Sequence, residues 1–360
     1  MSAQRVRRPT LDTIALEMGV SRATVSNAYN RPDQLSPQLR DRIIATATRL
    51  GYPGPDPTAR SLATQRAGAV ALLLGQGLSS AFSDPALSIM LDSLASTVDS
   101  GDRALLLLPG VDDQGPRPSS VTRAQTDVVV AYSLPDGAPA LEAVRQRQLP
   151  LVVVDQPVLA DSARVEVDDA AGAEMAARHL GELGHRRVGI LGFSLSPDSA
   201  HGPADRARVA SAKFRVTRDR VAGYHKGLGE FGIGADEVPM WEARCGDQRL
   251  GREGARWLMS RRPQPTALLC MSDELALGAI RAASEVGLSV PGDISIVGFD
   301  DTPAAAWSTP PLTTIRQDLV EKGRRCGELA LRLLDGARPG VPTTLGVELV
   351  PRASTAPPRS

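Results

Sequence analysis

The chain has 360 residues, with 41 basic and 41 acidic side chains, so its formal net charge is zero and bulk charge names no partner. That length allows two or three domains around a sizeable core. Three widely spaced cysteines, Cys245, Cys270 and Cys326, are odd in number and argue for inert thiols in a reducing compartment rather than a disulfide framework.

The distribution of charge says more than the total. Residues 1–66 hold ten arginines against five acids, an excess of +5, which leaves the remainder at −5. A basic head on an acidic body suits a polyanion such as nucleic acid; an incidental surface imbalance is the alternative. The start, MSAQRVRRPTLDTIA, has no apolar run behind its charges, and AVALLL and ALLLLP are too short to cross a bilayer. The expected location is the cytoplasm, with no membrane partner.

The first element follows Thr10, a helix cap, with Leu11, Ile14, Ala15 and Met18 on one apolar face and Gly19 as the stop. Ser21 caps a second helix in which Val25 and Ala28 face inward. Ser36–Pro37 opens a third, with Leu39, Ile43, Ala47 and Leu50 at helical spacing and Gly51 at its end. Two short helices joined by a tight turn, with a third across them, form a helix-turn-helix. The second helix is unusually polar: SRATVSNAYN presents Ser21, Arg22, Ala23, Thr24, Ser26, Asn27 and Asn30. If it lies in a major groove, Arg22 can donate twice to guanine and Asn27 can pair with adenine or touch phosphate. A solvated surface is the alternative.

GYPGPDPTARSLATQRAG follows. Its prolines predict an extended linker, then a short helix TARSLAT that is marginal alone in water. Leu62, apolar among small, polar and basic neighbours, suits a wedge between base steps of a minor groove, or else a buried linker residue.

From residue 68 apolar runs alternate with helical patterns. AVALLL reads as a buried strand, ALLLLP, DVVVAY and LPLVVVD as further strands of the first half, and RVGILG, TALLCM and ISIVGFD as strands of the second. Strands that are apolar throughout, alternating with helices, predict parallel sheets covered on both faces. Two such doubly wound lobes place their strand C-termini around a shared crevice. Residues 194–214 form a long polar stretch between strand and helix, either a flap over the crevice or an inert loop.

The stretches TLDTIALEMGVSRATVSNAYN, LSPQLRDRIIATATRLGY and PTARSLAT, followed by VDDAAGAEMAARHLGELGHRRVGIL, TALLCMSDELALGAIRAASEVGLSVPGDISIVGFDD and PPLTTIRQDLVEKG, resemble the LacI/GalR family of bacterial transcription regulators nearly end to end. Thr13 and Asn27 depart from the residues common in that family. The resemblance implies an all-helical head over residues 1–52, a linker and hinge helix over 53–66, and a body over 67–360. Its two α/β lobes, like those of periplasmic binding proteins, comprise about 67–165 with 317–343, and 166–316 with 344–360. It implies a homodimer on a palindromic operator of double-stranded DNA, most simply a repressor, controlled by a small sugar-like effector; a nucleoside or phosphorylated metabolite is the alternative. The DNA-facing set expected is Thr10, Ser21, Arg22, Ala23, Thr24, Ser26, Asn27, Asn30, Ser36, Ala59 and Leu62. The effector-facing set is Phe82, Asp84, Asp155, Arg220, Gln248, Ser272, Asp273, Asp300 and Gln317. Asp273 could equally be a helix cap, and Gln248 stands where the family often has an aromatic.

Two rival classes exist. A glycosidase would use Asp300–Asp301 or Asp84 with Asp155 as an acid/base pair, but neighbours in sequence point apart and no nucleophile–base–orienter set is present. A secreted solute-binding protein conflicts with the head and with the missing leader. The four histidines show no metal spacing, His185 reads as structural, and no cofactor or catalytic residue is expected.

Overall fold

The computed structural model describes residues 9–54, 61, 66–110, 115–198 and 200–359. They divide into a head, up to Ala67, and a body from Gly68.

Each head helix starts where a side chain can take an orphan backbone N–H. Thr10 accepts from the Thr13 amide at the start of α1 (Leu11–Met18), and the Thr13 hydroxyl in turn accepts from the Thr10 amide. Gly19 ends α1 at φ +67°, a left-handed conformation that costs glycine little. Ser21 caps α2 (Arg22–Asn30) and Ser36 caps α3 (Pro37–Arg49). Ile14, Ala15, Val25, Ala28, Ile43 and Ala47 form the buried core, joined by Leu11, Met18, Leu39 and Leu50 at its edge. The hinge helix expected over TARSLAT, with Ala59 and Leu62, lies outside the described residues apart from Ser61.

The body contains two sheets. The first runs, in spatial order, β12 (Thr343–Leu345), β5 (Ala163–Val167), β4 (Leu151–Val154), β3 (Val128–Tyr132), β1 (Ala69–Leu74), β2 (Ala104–Leu108), and all its pairings are parallel. The unbroken apolar runs of β1, β3 and β4 follow from burial on both faces, whereas the edge strand β2 is only half-buried. Val70, Leu72 and Leu74 pack with Leu94, Val98, Cys326 and Ala330 on one face. Ala71 and Leu73 pack with Val121, Leu141 and Val144 on the other.

The second sheet runs β13 (Val347–Val350), β11 (Thr313–Gln317), β10 (Ser295–Asp300), β9 (Ala267–Cys270), β6 (Val188–Gly192), β8 (Met240–Glu242), β7 (Gly202–Ala204). Its interior is parallel, but both edges are antiparallel: β13 against β11 and β7 against β8. The sequence pattern missed these edges because a three- or four-residue strand gives no periodic signal.

The chain passes from one lobe to the other after β5, after β11 and after β12. At two of these crossings an aspartate caps the next helix: Asp168 holds the Ala171 amide of helix Asp169–Glu182, and Asp318 holds the Glu321 amide of helix Leu319–Leu334.

The described residues of segment 194–214 are not a plain loop. They supply β7 and the short helix Arg206–Ala210. Arg208 grips Glu242 at 2.8 Å and Asp198 at 2.6 Å, and Lys213 N donates to Leu195 O at 2.6 Å, which staples the segment to the second lobe. Among the described residues no helix is long and apolar enough to cross a membrane.

Candidate functional site

The head presents one polar helix face. Ser21, Arg22 and Ala23 are exposed; Thr24, Ser26 and Asn27 are half-buried around the inward Val25 and Ala28. Ser21 Oγ accepts from the Thr24 amide at 3.0 Å and lies 2.8 Å from its hydroxyl. Arg22 stands 3.7 Å from Asp12, both side chains largely in solvent, so this pair is weak and the guanidinium stays available. Asn27 donates to Gln34 Oε1 at 3.2 Å, which aims its amide toward the turn after α2. Thr10 and Ser36 are exposed at the starts of α1 and α3. Asn30 ends α2, and Ala59 and Leu62 lie outside the described residues.

The body's cavity lies at the C-terminal ends of its strands, between the lobes. From the first lobe come Gly75 and Asp84 beyond β1, Tyr132 and Ser133 at the end of β3, and Asp155 and Gln156 after β4. From the second come Phe193 and Ser194 after β6, Arg220, Ser272 and Glu274 after β9, Asp300, and Gln317. Asp155 (φ +62°), Asp300 (φ +120°) and Ser133 (φ +51°) hold left-handed backbone angles where their strands end. Such angles cost about 1–3 kcal/mol each and cluster at binding sites.

Arg220, 4% exposed, sits on helix Arg215–Gly229 and stacks over the Phe299 ring at 3.5 Å. Its Nε donates to Asp169 at 2.8 Å and its Nη1 to the Met271 carbonyl. Lys322 donates to both Asp155 oxygens, at 3.0 and 3.2 Å, and to Gln317 Oε1 at 2.6 Å. Gln317 in turn donates to Asp300 Oδ1 at 2.6 Å. Burial, reinforced by Asp273 and Asp84, pushes the Asp300 carboxyl well above its ordinary range, against the opposing pull of Arg220. Burial also raises Asp84, whose Oδ1 caps helix Pro85–Ser100 through the amides of Ala86 and Leu87.

Six of the nine expected effector residues therefore line one cavity: Asp84, Asp155, Arg220, Ser272, Asp300 and Gln317. Three do not. Phe82 is 70% exposed, because the short helix Leu78–Ser83 turns it to solvent. Gln248 is exposed and donates to Glu274 at 3.1 Å, so Glu274 lines the cavity in its place. Asp273 is fully buried and accepts from the Thr302 amide at 2.7 Å, the Thr302 hydroxyl at 3.0 Å and the Thr314 hydroxyl at 2.5 Å. It ties β9 to β10 and β11, while Ser272 is the cap of helix Asp273–Glu285.

Sequence reading missed Lys322, Asp169 and Glu274. Asp169 had a signal, the second carboxylate of VDDAAG; Lys322, isolated in QDLVEKG, had none. The carboxylates of Asp300 and Asp301 part company: Asp301 faces Arg316 at 2.6 Å and Arg352 at 2.5 Å, outside the cavity lining. His185 is held by Thr266, Ser295 and the Ala356 carbonyl, and burial lowers its pKa. Among the described residues no group of His, Cys, Asp and Glu could hold a metal ion.

Residues 10–54 match the model of bacterial regulatory proteins of the lacI family, and residues 177–355 match a periplasmic binding protein-like domain. The chain is 40% identical over 363 residues to the HTH-type transcriptional regulator Rv3575c of Mycobacterium tuberculosis, covering 99% of this chain and 100% of that protein. It is 40% identical to the regulator IpsA of Corynebacterium glutamicum, over 91% of each chain. Among solved structures, a LacI-family transcriptional regulator from Corynebacterium glutamicum superposes with a TM-score of 0.75 at 34% identity, over 98% of this chain and 100% of that one. The lac repressor dimer bound to operator and the anti-inducer ONPF superposes with a TM-score of 0.78 at 26% identity, over 97% and 100%. With this head, these two lobes and relatives of such identity along its whole length, the chain belongs to the LacI family of DNA-binding transcriptional regulators.

Proposed function

We propose that the chain acts as a homodimeric repressor on a palindromic operator, and that a neutral, polyhydroxylated, sugar-like effector in the interlobe cavity controls its affinity. One observation carries the effector class: the cavity's buried cations are already committed. Arg220 is paired with Asp169 and Lys322 with Asp155, and the third lining cation, Arg244, is exposed; Asp84, Glu274 and Asp300 add carboxyl groups that burial pushes above their ordinary range. A phosphorylated ligand would find no unpaired buried cation to neutralise it in a low dielectric. Hydroxyl groups, which both donate and accept, suit carboxylate oxygens beside a guanidinium.

One head carries one recognition helix and reads one half-site, so a palindrome calls for two chains. Arg22 and Asn27 then face base edges, with Thr10, Ser21, Ala23, Thr24, Ser26, Asn30 and Ser36 around them and Ala59 and Leu62 in the minor groove. Effector and operator are linked because each favours one interlobe arrangement, and a coupling of about 1–3 kcal/mol is usual.

The test has two parts. Selection from random duplexes with the full chain is expected to enrich a two-fold symmetric site. A thermal-shift panel of neutral sugars, polyols and their phosphates is expected to show stabilisation by uncharged members. Stabilisation by phosphates alone would reverse the effector assignment, and an asymmetric single half-site would reverse the dimer.

A further inference from the structure

Lys322 is one of three lysines in the chain and is 3% exposed. It stands at the start of helix Leu319–Leu334, whose Cys326, Ala330 and Leu333 belong to the first lobe's core. The same cavity is lined by Leu87 and Met90. Apolar side chains in place of both Lys322 and Asp155 would avoid the cost of desolvating two charges, and a buried ion pair seldom improves on such packing. The lysine's presence therefore asks for a reason other than stability.

Its bonding supplies one. An ammonium has three donors, and here they serve both oxygens of Asp155 and Gln317 Oε1. Gln317 ends β11 in the second lobe's sheet, on the far side of the crossover from Lys322. The ammonium fixes which way the Gln317 amide points. With Oε1 toward Lys322, Nε2 must face Asp300 and donate to Oδ1. The flipped amide would set N–H against N–H and oxygen against carboxylate. A continuous buried chain results, Asp155–Lys322–Gln317–Asp300, from the end of a first-lobe strand to the end of a second-lobe strand. Asp155 and Asp300 are both held at left-handed backbone angles.

We propose that Lys322 is a positioning residue that pins the two lobes across the β11 crossover and, by orienting Gln317, presents Asp300 to the ligand. Its part in the ligand response rests on the cavity reading above; its part in the interlobe geometry does not.

The test measures the interlobe distance directly. Spin labels at Gln146→Cys in the first lobe and Glu253→Cys in the second, in full-length chain carrying Cys245→Ser and diluted with unlabelled chain, report it by pulsed electron resonance. The parent is expected to give one narrow distribution. Lys322→Met and Gln317→Leu should each broaden or move it, and the double variant should do no more than either single, since both break one chain of bonds. A purely structural lysine would lower the melting temperature and leave the distances unmoved. That result, or additive changes in the double variant, overturns the proposal. If Lys322→Met does not fold, the uncharged Gln317→Leu carries the decision. In a thermal-shift titration with the neutral sugar and polyol panel, Lys322→Met should weaken affinity by about tenfold or more, the loss expected when a charge-assisted hydrogen bond disappears. A wild-type chain that responds to no panel member overturns the cavity reading, while the distance distributions still decide the pin.

Discussion

In the head, Ser21, Arg22 and Ala23 are exposed on one turn of one helix, and the side-chain hydrogen bonds of Ser21 reach only three residues along the chain. In the cavity, Arg220, Asp155, Asp300 and Lys322 are buried, come from four separate elements, and hold partners up to 167 residues away in sequence. Recognition in the head is thus nearly independent of folding. In the cavity the groups that would meet a ligand also hold the lobes, so binding and stability share the same atoms. Substitutions should separate cleanly in the first region; in the second only an isosteric change that keeps the hydrogen bonds, such as Asp300→Asn, should do so.

The largest effect is expected from Arg220→Ala. It leaves Asp169 buried without its partner, and removing one member of a buried pair costs about 3–5 kcal/mol. Urea unfolding of the variant measures this. A loss under about 1 kcal/mol, the size of an exposed pair, would erase the contrast between the two regions.

Next comes a pH dependence confined to the body. Burial, against the hydrogen bonds from Thr314 and Thr302, pushes Asp273 up to about 7. Between the ordinary carboxylate range and that value the folded chain holds more protons than the unfolded one. This residue's contribution to stability therefore falls as pH rises through the window, by at most about 1.4 kcal/mol per pH unit. Asp273→Asn should remove that slope, measured as the difference between variant and wild type at pH 5 and pH 8. His185 works in the other direction: its pKa is lowered by burial, so its contribution is lost as pH falls below about 6.5. Because His185 is present in both chains, the difference between Asp273→Asn and wild type isolates the Asp273 contribution.

Arg22→Ala should cost about 1–3 kcal/mol of discrimination between operator and random duplex. Thermal stability should barely move, since the contact with Asp12 is solvated. An equal loss on both duplexes would reduce Arg22 to a phosphate contact. The smallest effect is expected from Ser36→Ala, which removes the cap on the Leu39 amide and should lower head stability by about 1 kcal/mol, read from helical circular dichroism on melting.

The same contrast explains what the sequence made legible. Thr10, Ser21 and Ser36 announce their helices because a cap and its amide lie three residues apart, within reach of a local pattern. AVALLL and ISIVGFD announce buried strands for a similar reason. Asp84, Asp155 and Asp300 are implied by the family resemblance, and their places at or beyond strand ends agree with it. Phe82 and Gln248 occupy comparable positions in sequence, yet the short helix Leu78–Ser83 and the Gln248–Glu274 contact take their side chains out of the lining. Asp273 is adjacent to a cavity residue but faces the other way, toward Thr302 and Thr314. Lys322 was invisible because its meaning depends on Asp155, which only the fold brings near.

The most direct test of an effector-controlled operator switch is an operator titration of wild type and Asp300→Asn, with and without a neutral ligand that stabilises the wild-type chain. Asparagine keeps an oxygen for Gln317 Nε2 while removing the carboxylate, so the body should remain folded. Wild type is expected to change its operator affinity about 5- to 150-fold on adding ligand, whereas Asp300→Asn should match wild type without ligand and then move less than about twofold. An Asp300→Asn chain that keeps the full wild-type shift would contradict the account.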